Sequence, residues 1–375
     1  MKKMLVWLLA VTMLLSFSLT GCAQNPAAEQ KDENTITVTD HNGDTVTLPA
    51  NIERIAVCDI LPLPSVLSVF FDSADKIVAM APSSFSAAEN GLLSELYPEI
   101  LNADTSAMSG TDVNTEELMK LDPQVVFYNA SSVQLGETLK KAGFPAVAIS
   151  VNKWNYDAIE TLNQWLDLLT QIFPDSANDR AGLVRAYSEE SMKLVQERTA
   201  ELTQAEREKV FFLFQYSEDS IITSGKQFFG QWWADAIGAV NAAEELTEDN
   251  SVKVTLEQVY SWNPEVILMT NFTTALPDDL YQQTVGSYDW SGIDAVQNQK
   301  VFKMPLGMYR SYTPGIDTPI TLLWLAKTVY PELFADVDIT AKTVEYYETV
   351  FGVKLTAEQA EAIFAPVSEA GKTDF

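Results

Sequence analysis

One unit occurs twice in this chain, and it limits the fold more than any other feature. The first copy reads Asn114-Thr115-Glu116-Glu117-Leu118-Met119-Lys120-Leu121-Asp122-Pro123-Gln124-Val125-Val126. The second reads Thr255-Leu256-Glu257-Gln258-Val259-Tyr260-Ser261-Trp262-Asn263-Pro264-Glu265-Val266-Ile267. Each opens on a residue whose side-chain oxygen can cap a helix, with Glu or Gln at the third helical position, the pattern of a capping box. Proline ends each short helix, because it lacks the N–H and restricts the residue before it. A hydrophobic strand follows at once. A chain that repeats helix–proline–strand in its two halves should fold as two lobes of like design. Glu116 and Glu257 hold the matching second positions. Both suit the helix dipole, and neither has to close a capping box, so a further role stays open for both.

The surroundings of each copy extend the pattern. Ile55-Ala56-Val57, Ile77-Val78-Ala79, Val125-Val126-Phe127-Tyr128 and Ala146-Val147-Ala148-Ile149 are short apolar runs separated by helical stretches. Such runs predict buried parallel strands in a βα alternation. A second set comprises Val210-Phe211-Phe212-Leu213-Phe214, Ile221-Ile222-Thr223, Val266-Ile267-Leu268-Met269 and Val301-Phe302-Lys303-Met304. The expected class is α/β: two Rossmann-like α/β lobes joined by one long α-helix, with a ligand cleft between them. A helix over residues 156–172 should stop at Pro174. A second should start from an N-cap at Asp175 or Ser176 and run to about Leu202, with Val184, Tyr187, Ser191 and Leu194 at helical spacing. At 1.5 Å per residue it would be a strut of about 40 Å. The expected boundaries are an N-terminal lobe over 35–152, a connecting helical segment over 153–208 and a C-terminal lobe over 209–375.

The N-terminus has the grammar of export. Lys2 and Lys3 precede an apolar stretch over residues 5–19, too short for a comfortable membrane span. The ending Leu19-Thr20-Gly21-Cys22 resembles the bacterial lipobox, in which cysteine becomes the lipidated first residue. Residues 1–21 then read as a signal peptide and 22–34 as a flexible, lipid-anchored tether. With the Cys22 thiol consumed, Cys58 is a lone thiol after an apolar run and reads as a small buried hydrophobe.

Composition removes several functions. Fifty-two Asp plus Glu stand against 24 Lys plus Arg, for a net charge of -28. Such a chain repels phosphate backbones, so no nucleic-acid partner is expected. One His and two Cys leave few nitrogen or sulfur donors for a bare metal. His41 falls in Asp40-His41-Asn42-Gly43-Asp44, a hairpin tip, and reads as a solvated turn residue. No nucleophile elbow, zinc motif or Ser–His pair is present. A secreted hydrolase using a carboxylate pair stays open as an alternative. No catalytic residue is assigned, and no enzyme is expected.

Taken together, these features resemble the substrate-binding lipoproteins of bacterial ABC importers, in the group that binds ferric siderophores, haem and cobalamin. The opening hairpin, Glu53-Arg54-Ile55, Leu121-Asp122-Pro123 and Ile222-Thr223-Ser224-Gly225-Lys226 carry the likeness. So do the tail motifs Leu323-Trp324-Leu325-Ala326-Lys327 and Tyr330-Pro331-Glu332-Leu333-Phe334. The family often carries Glu before that Leu-Trp helix, where this chain has Asp317. The resemblance implies a monomeric, lipid-anchored receptor on the extracytoplasmic face, serving a transmembrane permease dimer with its cytoplasmic ATPase. It also implies that Glu116 and Glu257 dock the two lobes onto the permease. Its iron-complex branch implies an iron(III) chelate as ligand. Cobalamin, haem and oxyanions such as molybdate stay open.

In α/β sheets, ligands bind beyond the carboxyl ends of the strands. The candidates there are Asp59, Ser84, Phe85, Asn129 and Trp154 in the first lobe. In the second they are Tyr216, Phe229, Trp233, Asn271, Tyr309 and Arg310, with Phe228, Trp232 and Phe272 beside them. Aromatic side chains suit a bulky ligand. Arg310 would pair with an anionic chelate, or else form a surface ion pair. Residues 228–233 fall in one helix, so some of its rings could be core. Met304 and Met308 could ligate haem or simply pack. No resident cofactor and no protein-held metal is expected.

Overall fold

A computed structural model describes residues 34–109, 112–176 and 180–372. Cys22 and the segments expected as signal peptide and tether lie outside the described residues, apart from Asn34.

Strands β1 (Thr35–Thr39) and β2 (Thr45–Pro49) form the expected antiparallel hairpin, with Thr37 opposite Thr47. Gly43 takes φ +86° at its tip, a left-handed conformation that glycine adopts without a Cβ penalty. The tip is docked, not solvated. Asp40 accepts a hydrogen bond from the Ala148 N–H (3.1 Å), and the His41 N–H donates to the Ala148 carbonyl (3.1 Å).

Strands β3 (Ile55–Val57) and β4 (Ile77–Met80) open the first sheet. A two-rung ladder of β5 (Met108–Ser109) and β6 (Asp112–Val113) follows. Strands β7 (Val125–Asn129) and β8 (Ala146–Ile149) complete the sheet, which is wholly parallel in the order β4-β3-β7-β8. Both faces are covered. Ile55, Val57, Val125, Phe127, Val147 and Ile149 pack into one core, while Ala56, Val126, Tyr128, Ala146 and Ala148 pack into the other. That two-residue alternation inside continuously apolar runs is what a doubly covered parallel sheet requires.

The second sheet holds β9 (Lys209–Ser217), β10 (Ser220–Ser224), β11 (Val240–Asn241), β12 (Ser251–Val254), β13 (Val266–Met269) and β14 (Val301–Lys303). Its order is β12-β10-β9-β13-β14, with β11 beside β9. The strands β9, β13 and β14 run parallel. The run Ile221-Ile222-Thr223, expected as parallel, is antiparallel to β9. Only Glu218 and Asp219 separate the two strands, and a parallel pair needs a crossover of a dozen residues or more.

The repeated unit is visible in both lobes as helices Thr115–Lys120 and Leu256–Trp262. The second closes its capping box between Thr255 and Gln258. The first does not. Asn114 accepts from the N–H groups of Glu116 and Glu117, and the Glu117 carboxylate is taken by Lys120 at 2.7 Å. The likeness continues past the helices. Asp122 and Asn263, each just before the proline, adopt φ of +48° and +43°. Asp and Asn tolerate that left-handed region better than other side chains. After the proline, Gln124 accepts from the N–H of Arg54 and Glu265 from that of Lys209, so each side chain clamps the start of the adjoining strand.

The long helix is Arg180–Thr199, 20 residues or about 30 Å. Pro174–Ser176, where the helix was expected to start, forms a 3-10 turn, and the helix ends at Thr199, short of the expected Leu202. Val184 packs into the first lobe's core and Val195 into the second's. Arg180 bonds the Val69 carbonyl at one end, and Arg198 bonds Asp336 at the other. A helix packed into both cores is a stiff connection.

The packing departs from the expected 209–375 lobe at the C-terminus. Helices Ile339–Phe351 and Ala357–Ile363 return to the first lobe, where Tyr346, Tyr347, Phe351 and Ile363 join its core. Periodicity predicts a buried face on such helices but not which core it meets.

Candidate ligand-binding site

A cavity of about 560 Å³ opens between the lobes at the carboxyl ends of β3, β7, β9 and β13. Its first-lobe wall is mixed, with the polar groups of Asp59, Asn129, Ser131 and Ser132 set among Ile60, Leu61, Pro62 and Val151. Asp59 and Ile60 follow β3; Asn129 ends β7, with Ser131 and Ser132 beyond it. The Asp59 carboxylate accepts from the Asn129 N–H (2.6 Å) and from the Ser132 hydroxyl (2.5 Å). Asn129 Oδ1 accepts from the Ser131 N–H (3.0 Å). These bonds fix the wall before any ligand arrives.

The second-lobe wall is aromatic. Phe272, Phe214, Phe228 and Phe229 form an unbroken chain, with successive ring centroids 5.0, 5.2 and 5.4 Å apart. Tyr312 backs three of them, and Tyr156 backs Phe228 and Phe229. Gln215, Asn250, Ser251 and Thr313 supply the polar edge.

Of the residues expected to bind, Asp59, Asn129 and Phe229 line this cavity, as do Phe228 and Phe272. The others are placed elsewhere, each for a visible reason. Ser84 donates to the Leu61 carbonyl (2.8 Å) and so holds the wall from behind. Phe85 packs on the first lobe's core. Trp154 meets His41 edge-on at 5.0 Å. Trp233 is fully buried and bonds the Tyr312 carbonyl. Asn271 is buried and donates to the Met304 and Pro305 carbonyls. Tyr309 is buried beside Arg310. Met304 and Met308 are core residues.

Tyr216 and Gln215 exchange the sides that plain alternation along the strand would give them. The register between β9 and β10 slips by one residue, pairing Ile222 with Gln215 but Thr223 with Leu213. Phe214 is the extra residue of a bulge, and a bulge re-aims the side chains around it. Phe214 and Gln215 therefore both line the cavity, and Tyr216 turns to the opposite core against Trp290. An alternating pattern carries no mark of such a slip.

Arg310 differs most from its expected role. It is buried, and no carboxylate contacts it among the described residues. Its guanidinium donates to the carbonyls of Ala370 and Lys372 and to the Ser83 hydroxyl (2.7 Å), and stacks 4.8 Å from the Phe272 ring centre. It ties the C-terminal segment to the first lobe and does not line the cavity.

Arg310 is presented by a loop that Asp317 holds. The Asp317 carboxylate accepts from the Met308 N–H (2.7 Å) and from the Tyr347 hydroxyl. A Cβ on Gly307 would come within 2.6 Å of that carboxylate, so the approach needs glycine. Burial pushes the Asp317 pKa up from 3.8 to about 6, against the hydrogen bonds that lower it. The folded state thus binds this proton more tightly than the unfolded chain. The stabilisation is complete below pH 3.8 and is lost as pH rises through 6. Asp317→Asn should remove that gain, so the stability difference between the two proteins should change by roughly 2–3 kcal/mol between pH 7 and pH 4. Urea unfolding at the two pH values checks this; parallel pH profiles would contradict it.

His41 accepts from the Ser150 N–H at Nδ1 (3.0 Å), and burial lowers its pKa to about 4. It is a structural pin in place of the solvated turn residue expected. Cys58 is buried, as expected, and burial pushes its thiol pKa up. Among the described residues no group of three or more His, Cys, Asp or Glu could hold a metal, and no helix is long and apolar enough to cross a membrane. Glu116 and Glu257 are both exposed at helix starts, one on each lobe, outside the cavity.

Two α/β lobes on a helical strut, with a cavity walled by both, define a solute-binding protein. The chain belongs to the periplasmic binding protein family, whose model matches residues 74–306. It is an extracytoplasmic solute-binding component of an ABC transporter. A molybdate-binding protein, MolA of Haemophilus influenzae, is 26% identical, over 94% of this chain and 98% of its own. A periplasmic solute-binding protein of Veillonella parvula superposes with a TM-score of 0.75 at 28% identity, over 88% of this chain and 97% of the other. The molybdate-bound structure of MolA superposes at 0.69 with 25% identity, over 85% of this chain and 99% of the other.

Proposed function

We propose that the interlobe cavity captures a metal chelate of the iron(III)-siderophore kind and that the protein hands it to a permease dimer driven by a cytoplasmic ATPase. The observation that carries this reading is the pairing of a four-ring aromatic wall with a mixed first-lobe wall whose polar groups are held in place by hydrogen bonds. A cavity of this size falls in the range of drug-sized ligands. A chelate brings its own metal donors and needs only shape and polar edges from its receptor. Molybdate is the second reading, supported by the likeness to MolA.

In the same reading the mature protein is a monomer that begins at lipidated Cys22, and it docks on the permease through Glu116 and Glu257. The Leu-Thr-Gly-Cys ending supports the anchor. Cys22→Ser should move the protein from the membrane fraction to the soluble one, or leave it unprocessed. Membrane association and lipid labelling equal to the parent's would contradict the anchor. Capture itself is tested by calorimetric titration of the mature protein with ferric siderophores. One-to-one saturation by at least one of them is expected, and none would refute the chelate reading.

A further inference from the structure

We infer that the cavity selects a chelate without net negative charge: an uncharged or cationic complex of the hydroxamate type, in preference to a catecholate complex or molybdate. The inference rests on the chelate-receptor reading and adds the charge class of the ligand.

Asp59 is the only ionisable side chain among the described residues that line the cavity. No Lys, Arg or His is among those described residues. Three nearby cations are committed elsewhere. Arg310 gives its donors to Ala370, Lys372 and Ser83. Lys303 is buried with its ammonium on the carbonyls of Thr273 and Ala275. Lys153 bonds the His41 carbonyl and lies over the Trp154 ring. An anion entering the cavity would lose water without meeting a cationic side chain, and burying unpaired charge is costly. It would also meet the Asp59 carboxylate and the field of a chain of net charge -28.

The aromatic wall adds apolar area and no cation. Phe214 and Phe228 stand perpendicular, at 88°, so the wall presents both ring faces and ring edges and offers no fixed positive charge. Four Phe rings and one carboxylate therefore favour a positive or neutral guest with apolar edges. In a ferric trishydroxamate three singly charged ligands balance the iron(III), so the complex is neutral, or cationic if it carries a free ammonium. A ferric tris-catecholate is trianionic. Molybdate is a dianion and would fill only a small part of the cavity.

Calorimetric titrations with four probes test this: ferrioxamine B (cationic), ferrichrome (neutral), a ferric tris-catecholate and sodium molybdate. The wild-type protein should bind at least one hydroxamate complex about 100-fold more tightly than the catecholate or molybdate. Gln215→Arg sets a cation in the wall and should shrink that preference at least tenfold. Tighter binding of the catecholate or molybdate by the wild type would overturn the charge inference. A catecholate result of that kind would leave the chelate-receptor reading standing. Binding by none of the four would remove that reading and this inference with it. A preference unchanged in Gln215→Arg would show that charge in this cavity is not what selects.

Discussion

Arg310→Ala is expected to lower stability by about 3 kcal/mol or more, and to act on the ligand only through the fold. The substitution removes the donors that hold Ala370, Lys372 and Ser83 together, and it leaves the buried Ala370 carbonyl short of its partners. It also empties the space against Phe272 and Tyr309, where the guanidinium stacks. A cavity and unmet acceptors are among the few causes of large single-residue losses. Arg310→Lys should recover only part of the loss, since an ammonium cannot reproduce the planar fork. Arg310→Met should recover another part, because it refills the volume without burying a charge. Urea unfolding of the three variants measures this. Wild-type stability in Arg310→Ala together with lost ligand affinity would return the residue to the role expected from the sequence.

The second large effect is expected in transport. Glu116→Lys combined with Glu257→Lys should cut uptake at least tenfold and leave the ligand dissociation constant within about twofold. Both carboxylates are exposed, sit on different lobes and lie outside the cavity. The helix starts are capped by Asn114 and Thr255, so the fold does not need either carboxylate. Lysine at a helix start costs only about 0.3–1 kcal/mol. Paired charges at a docking surface set orientation and association rate, and reversing both should repel the permease at two points. Parallel uptake and binding assays separate the effects. Unchanged uptake would sink the docking assignment, and lost ligand affinity would move the two residues to the binding step.

Much of the fold was legible because it depends on local signals. The repeated helix–proline–strand unit needs only a cap, a proline and an apolar run, and all three are written in order. Even the left-handed turns at Asp122 and Asn263 fall on residue types that tolerate them. The polar groups of the first-lobe wall were partly legible for the same reason, since Asp59 and Asn129 directly follow or end their strands. Three rings of the aromatic wall, Phe228, Phe229 and Phe272, were legible too, because they follow their strands. Phe214 shares the face of Val210 and Phe212 by plain alternation, but a one-residue bulge after it turned Gln215 into the cavity and Tyr216 out of it, and bulges leave the hydrophobic pattern unchanged. Ser131, Asn250 and Thr313 sit in loops whose approach to the cavity is set by the packing of whole lobes. Arg310 was misread because its place after the last strand pointed to the ligand, whereas its partners include backbone carbonyls more than fifty residues away. The helices after residue 338 were assigned to the nearer lobe because sequence order was the only guide.

The measurement that bears most directly on the central claim compares ligand capture by the wild-type protein and by Ser131→Trp. Ser131 is exposed on the first-lobe wall, so the indole should fill the cavity at little cost to the fold. Calorimetry with the tightest-binding ferric chelate should show one saturable site in the wild type and at least a hundredfold loss in Ser131→Trp, with unfolding unchanged. Equal binding by both proteins would place the ligand outside the interlobe cavity and contradict the account.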